Sequence, residues 1–132
     1  MNYLLDTNIC IRFLSGRNPN LTKRFLAISA QDKIICSVVR TELYYGAYKS
    51  QRQTVSLAKI DAFLRSYPTL PFDNNAARVC GELRADLARK GTPIGPYDVQ
   101  IAAIALAHNL TLVTHNTGEF SRVPHLLLDD WE

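Results

Sequence analysis

The spacing of apolar residues switches repeatedly between short unbroken runs and helical periodicity. Tyr3-Leu4-Leu5 is an apolar run that stops at Asp6-Thr7-Asn8 and gives way to Ile9, Phe13 and Leu14 at helical spacing, which predicts a buried strand turning into a helix. Gly16 and Asn18-Pro19-Asn20 punctuate the chain; Leu21 to Ser29 then reads as a helix and Lys33-Ile34-Ile35-Cys36 as a strand. Ser37 is expected to cap a helix from Val38 to Lys49, followed by a helix from Val55 to Ser66 that Pro68 stops, and by a short strand from Thr69 to Phe72. Asp73 or Asn74 caps a long helix reaching Lys90, which Gly91 ends, and Thr92-Pro93-Ile94-Gly95-Pro96 is a stiff loop. A helix from Pro96 to His108, a strand from Leu110 to Val113, a polar loop or short turn from Thr114 to Phe120 and a strand from Leu126 to Leu128 complete the pattern. Strands alternating with helices predict an α/β fold: a mostly parallel central sheet flanked by helices, with functional groups gathered beyond the carboxyl ends of the strands. With no repeat and no linker, residues 1–132 read as a single domain.

Composition narrows the class without changing that picture. At 47% hydrophobic and 20% charged residues, the chain is neither disordered nor low-complexity. Its most apolar stretch, Ile101 to Ala107, is far short of the roughly 20 residues that cross a bilayer, and Asp6 interrupts the first apolar run before it could act as a signal peptide. A cytoplasmic protein without a membrane span is expected. Cys10, Cys36 and Cys80 lie far apart among apolar neighbours, with no zinc spacing, and are expected to be reduced core residues. His108, His115 and His125 likewise lack ligand spacing and are expected to be structural or solvated. The net charge of +3 is uneven, with +6 in residues 1–66 and −3 in residues 67–132, which permits a polyanionic partner.

Most of the acidic residues have a structural explanation. Asp61 with Arg65 and Asp86 with Lys90 are i,i+4 pairs, Glu82 follows Arg78 by four residues, and Asp73 is a cap. Asp32 sits in a turn, while Asp129, Asp130 and Glu132 are expected in an exposed tail. Asp6, Glu42, Asp98 and Glu119 are not disposed of so easily. Asp6 ends a buried strand, Glu42 shares a helix face with Val38, Val39 and Leu43, Asp98 opens an apolar helix, and Glu119 follows a strand with Asn116 three residues before it. Taken singly, Asp6 could be a helix cap and Asp98 a complement to a helix dipole. Taken together, all four converge above the strand ends. Carboxylates so gathered must share protons or hold cations, and oxygen ligands alone favour Mg²⁺ or Mn²⁺. Phosphodiester hydrolysis is the natural chemistry, and without these four charges the rest of the chain carries +7, which suits nucleic-acid phosphates.

Four segments carry a resemblance: Leu4-Leu5-Asp6-Thr7-Asn8; Arg40-Thr41-Glu42-Leu43-Tyr44-Tyr45-Gly46-Ala47; Gly95-Pro96-Tyr97-Asp98 with Ile101-Ala102-Ala103; and Val113-Thr114-His115-Asn116-Thr117-Gly118-Glu119-Phe120. In order and over essentially the whole chain, they resemble the motifs of PIN-domain nucleases, and more closely those of the VapC toxins of bacterial toxin–antitoxin modules. The resemblance implies a PIN-like three-layer sandwich and a Mg²⁺- or Mn²⁺-dependent endoribonuclease. It also implies a catalytic and metal site of Asp6, Glu42 and Asp98 with a fourth acidic position. Many PIN domains carry Asp where this chain has Asn116, so either Asn116 is a ligand through its neutral oxygen or Glu119 supplies the charge. Thr7, Asn8 and Thr114 match polar residues that line such sites, in supporting roles.

The implied partners are an RNA, with the anticodon region of initiator tRNA favoured, and a VapB-like antitoxin whose arginine enters the acidic groove. A homodimer is expected from apolar residues in the front half, Phe25, Leu57, Ile60, Phe63 and Leu64. Tyr44, Tyr45, Tyr48 and Tyr97 lie beside the motifs and could stack on bases, with core packing as the plainer role. The rival function is a catalytically silent PIN-like module that binds RNA or a partner; retention of mutually repelling carboxylates argues against it. A haloacid-dehalogenase-like phosphatase would need an acid where Asn8 stands.

Overall fold

The computed structural model describes residues 2–132. Its elements run β1 (Tyr3–Leu5), α1 (Thr7–Ser15), α2 (Pro19–Ala27), a 3₁₀ turn (Ala30–Asp32), β2 (Lys33–Ile34), α3 (Ser37–Lys49) and α4 (Gln53–Leu64). There follow α5 (Asn74–Arg89), α6 (Pro96–Ala107), β3 (Thr111–Val113), α7 (Thr117–Phe120) and β4 (Leu127–Asp129). The strands form one parallel sheet in the order β2-β1-β3-β4, with Leu4 opposite Ile34 on one side and Leu112 on the other. Successive strand residues point to opposite faces, and Leu4, Leu5, Leu112 and Val113 are all fully buried, so helices cover both faces of the two central strands. This is the α/β sandwich that the alternation predicts.

The strand order decides where function can sit. From β1 the chain crosses to β2 on one side, and β3 enters on the other, so the sheet reverses direction of winding between β1 and β3. A crevice opens at the carboxyl ends of two such strands. Asp6 directly follows β1 and Thr114 directly follows β3, and the Asp6 N–H donates to the Val113 carbonyl at 3.1 Å, fixing both residues at the mouth of that crevice.

Beneath the sheet edge lies an aromatic cluster in which Phe13 stacks on Phe25 at 3.7 Å, with Phe63, Tyr67 and Trp131 around them. Full burial of a ring such as Phe25 contributes about 1.5–3 kcal/mol. Lys33 is buried there as well; its Nζ donates to the Phe25 carbonyl at 2.6 Å and lies 4.2 Å from the Phe25 ring centroid. Desolvation lowers the pKa of this ammonium group, and the carbonyl and the ring face stand in for water.

Several expectations are corrected. Ser37 is the first residue of α3, not its cap: Cys36 occupies the cap position without a side-chain bond, and Ser37 Oγ accepts from the Phe72 N–H at 3.1 Å. Residues 69–72 form no strand; they run beside β2 through Ile35 N–H to Pro68 O and Ser37 N–H to Leu70 O. The segment after β3 takes the short-turn alternative, as the single helical turn α7. Asp61 accepts from the Tyr44 hydroxyl at 2.6 Å, so its partner is across the α3–α4 contact and not Arg65. Phe25, Ile60, Phe63 and Leu64 are interior, which removes the stated basis for a dimer. The residues after β4 are not an exposed tail: Trp131 is 2% exposed, and Glu132 is held by Arg12 and Asn18. Tyr45, Tyr48 and Tyr97 are exposed, not core. Cys10, Cys36 and Cys80 are buried free thiols, as expected.

Candidate active site

Asp6 is both a helix cap and a site residue. Its Oδ1 accepts from the Ile9 N–H at 2.8 Å, closing the first turn of α1, and the group is 5% exposed. Burial raises its pKa, with the charges of Glu42 and Glu132 adding to the rise; hydrogen bonds from the Thr114 side chain and the Ile9 N–H oppose it. The Thr114 hydroxyl also accepts from the Asn116 N–H at 3.0 Å, so one buried threonine links Asp6 to the loop after β3.

Glu42 lies half-buried on α3, where Thr7 Oγ1 donates to its Oε1 at 2.7 Å. Thr7 is the first residue of α1, so the turn capped by Asp6 also fixes the side chain of Glu42. Asn8 is exposed at the next position of α1.

Asp98 and Glu119 form the other half of the cluster. Asp98 stands in the first turn of α6, half-buried. Its pKa is pushed up to about 7, first by burial, then by the charge of Glu119 and a hydrogen bond to it, and further by Glu42 and Asp6. Glu119 is displaced the other way. Its Oε1 accepts from the Gly95 N–H at 2.8 Å and its Oε2 from Asn116 Nδ2 at 2.6 Å; the Gly95 bond is the main reason its pKa lies below the usual range. The two carboxylates therefore share a proton near neutrality, held by Asp98 and accepted by Glu119. A Cβ at Gly95 would sit 3.5 Å from Asp98 Oδ2 and 3.8 Å from Glu119 Oε1, in ordinary contact with both carboxylates.

The mutual electrostatic effects of Asp6, Glu42, Asp98 and Glu119 show that one region holds all four. The amide of Asn116 turns its nitrogen toward Glu119, so Glu119 is the acid beside Asp98 and Asn116 positions it. An all-oxygen donor set with a carboxyl driven up to about 7 by its neighbours' charge fits a hard divalent cation, since such a cation relieves that repulsion. Two participants escaped sequence reasoning. Gly95 acts through a backbone N–H, which has no compositional signal, and Glu132 reaches the vicinity of Asp6 only through tertiary docking.

Comparison with known proteins accords with this geometry. The PIN domain family model matches residues 3–126. The chain is 39% identical over 131 residues to the tRNA(fMet)-specific endonuclease VapC of Salmonella typhimurium, covering 99% of this chain and 98% of that protein. It is 41% identical to the protein of the same description from Shigella flexneri, with the same coverage, and 39% identical to ribonuclease VapC2 of Rickettsia felis, covering 100% of this chain and 99% of that protein. Among solved structures, the DNA-bound VapBC of S. typhimurium aligns with a TM-score of 0.94 at 39% identity, over 100% of this chain and 99% of that one. VapBC2 of R. felis bound to a promoter DNA fragment aligns at 0.93 and 36% identity, over the full length of both. The chain belongs to the VapC family of PIN-domain ribonucleases.

Proposed function

We propose that this chain is a divalent-cation-dependent endoribonuclease and the toxin of a VapBC-type module. The observation that carries the reading is the convergence of Asp6, Glu42, Asp98 and Glu119 at the β1/β3 crevice of a PIN domain. Asp6, Glu42 and Asp98 would hold Mg²⁺ or Mn²⁺, with Glu119 as the fourth acid and Asn116 as its positioning residue. Such a cation, when bound, supplies Lewis acidity toward the scissile phosphate and acidifies water. The chain's own contribution is preorganisation. Thr7 fixes Glu42, Thr114 and the Ile9 N–H fix Asp6, and the Asp98–Glu119 pair provides carboxylates able to accept or release a proton near neutral pH.

The RNA reading draws on exposure and charge. Tyr45, Tyr48 and Tyr97, 55–65% exposed beside the motif residues, offer stacking faces for unpaired bases. The relatives named as tRNA(fMet)-specific endonucleases support initiator tRNA as the substrate, and the unpaired bases of its anticodon region suit such stacking faces. Such a substrate puts the protein in the cytoplasm; among the described residues no helix is long and apolar enough to cross a membrane.

The antitoxin reading draws on a groove of about 410 Å³ between α1, α3 and α4, lined by Ile11, Leu14, Leu43, Ala47 and Ile60 with Glu42 at its edge. An apolar segment carrying an arginine fits such a surface, pairing its guanidinium with the cluster in place of the cation. The solved VapBC complexes support a VapB-like partner. Homodimerisation, with Phe25 and Phe63 interior, would have to use side chains that stay exposed, such as Ile11, Leu14 and Val55; sedimentation of the chain alone tests it.

The deciding experiment is incubation of the purified chain with total RNA, with and without EDTA, followed by mapping of the cut ends. Cleavage confined to tRNA anticodon regions and stopped by EDTA is expected. Cleavage undiminished in EDTA would remove the cation requirement, and specific RNA binding without cleavage would favour the silent module.

A further inference from the structure

His115, Asp130 and Glu132 bring one imidazole nitrogen and two carboxylate oxygens within 4.8 Å of one another; none of the three is among the four clustered acids, though the charge of Glu132 acts on Asp6. His115 Nδ1 lies 3.0 Å from Asp130 Oδ2 and 3.8 Å from Glu132 Oε2. His115 is solvated, as its spacing suggests, with its side chain 57% exposed; docking of the segment after β4 against the loop after β3 overturns the expectation that both acids lie in an exposed tail.

Glu132 is the informative member. Its side chain is only 5% exposed. Oε1 accepts from Arg12 Nη1 at 2.9 Å and from Asn18 Nδ2 at 3.2 Å, whereas Oε2 is buried with no hydrogen-bond partner among the described residues and faces His115. A buried carboxylate oxygen without a donor is costly. Protonation of His115 does not resolve it, because Nδ1 carries a single N–H, and that proton is directed to Asp130 at 3.0 Å. One proton cannot serve both acids. One cation can.

We propose that His115 Nδ1, Asp130 Oδ2 and Glu132 Oε2 form a second cation site, selective for a first-row divalent transition ion such as Zn²⁺ or Mn²⁺ over Mg²⁺. Bonds of about 2.0–2.2 Å separate adjacent ligand atoms by roughly 3.0–3.7 Å, close to the 3.0 and 3.8 Å that already separate Nδ1 from the two oxygens. One nitrogen with two oxygens favours Zn²⁺, Mn²⁺ or Co²⁺, while Mg²⁺ prefers oxygen alone. His115 and Asp130 are 57% and 35% exposed in their side chains, so the site opens to solvent and can exchange its ion. Its structural effect is a clamp: it ties residues 130–132 to the loop that also carries Thr114 and Asn116.

The test uses Co²⁺ as the probe, on the purified chain in excess Mg²⁺, which occupies oxygen-only sites. Equilibrium dialysis should find one Co²⁺ per chain with an imidazole-type visible spectrum. That equivalent should persist in the Asp6→Asn/Asp98→Asn double variant and weaken at least ~10-fold in His115→Ala and in Glu132→Gln. Zn²⁺ should raise the melting temperature of the wild type and not that of His115→Ala. His115 is largely exposed and Gln keeps the acceptor that Arg12 and Asn18 use, so both variants should fold. No stoichiometric Co²⁺ in excess Mg²⁺, binding that survives His115→Ala, or binding lost with Asp6 and Asp98 would each overturn the proposal. None of these readouts depends on ribonuclease activity.

Discussion

Asp6 and Glu42 are held by neutral donors, a threonine each and a helix N–H, whereas Asp98 is held against a second carboxylate, Glu119. The first half is rigid by construction: α1 begins at the sheet, and its capping turn orients both carboxylates at once. The second half is a proton store, in which the Gly95 N–H and the Asn116 amide secure the charge of Glu119 and leave Asp98 with the proton. The larger part of the cluster's electrostatic strain thus falls on Asp98 of α6. Replacing carboxylates in the two halves should therefore have similar effects on catalysis and unequal effects on folding.

The largest effect expected is on cleavage. Asp6→Asn and Asp98→Asn should each lower the RNA cleavage rate by on the order of 10²–10³-fold at saturating Mn²⁺, because each removes a charged ligand from a site that needs several. Single-turnover cleavage of a tRNA substrate measures it. Retention of full activity by both variants would falsify the assignment of the cluster as the active site.

Thr7→Val comes next. It removes the donor that fixes Glu42 while preserving shape, so the Mn²⁺ concentration for half-maximal cleavage should rise by about 10-fold or more, with the maximal rate largely retained. Thr7→Ser should restore the wild-type value. A loss of maximal rate with unchanged Mn²⁺ dependence would place Thr7 in contact with substrate instead.

The contrast between the halves sharpens in cation-free folding. Asp98 binds its proton more tightly folded, at about 7, than unfolded, near 3.8, so the folded state carries more protons between those values and stability must fall as pH rises through that window. The full linkage would be about 4 kcal/mol, reduced by solvent screening at this half-buried group to about 1–2 kcal/mol. In EDTA, the wild type should thus be less stable at pH 8 than at pH 5, and Asp98→Asn should lack that slope and exceed the wild type at pH 8. Denaturant melts at the two pH values check this. Asp6→Asn keeps an oxygen that can cap the Ile9 N–H and removes a carboxylate that burial also penalises, so it should act in the same direction with a smaller gain.

How much of this was readable from residues alone depends on the range of the interaction. Asp6 as strand end and cap, Asp98 in the first turn of α6 and the Asp73 cap are local, set by neighbours within one helical turn, and the sequence pattern places them correctly. Ser37 shows where that logic stops: a good capping residue is drawn off by the Phe72 N–H, 35 residues away. Local spacing likewise does not separate Asn116 from Glu119, because the Gly95 N–H that holds Glu119 comes from a loop 24 residues earlier. Docking of Trp131 and Glu132 depends on Arg12 and Asn18, which no periodicity relates to them.

The smallest effect belongs to Gly95→Ala, and it separates backbone from space. Gly95 has φ −56° and ψ 150°, a conformation that alanine adopts freely, and its N–H to Glu119 would be kept. The added Cβ would meet Asp98 Oδ2 and Glu119 Oε1 at ordinary contact distances, so folding stability should change by less than about 0.5 kcal/mol. The methyl group would nonetheless cover the gap between the two carboxylates with apolar surface. Desolvation favours the shared proton, so the pH midpoint of cation binding should move upward, and cleavage at pH 7 should fall a few-fold while recovering at pH 8.5. A pH–rate profile of Gly95→Ala beside the wild type reads this directly. An equal loss at every pH would mean that the methyl group obstructs the RNA and leaves the proton-sharing pair untouched.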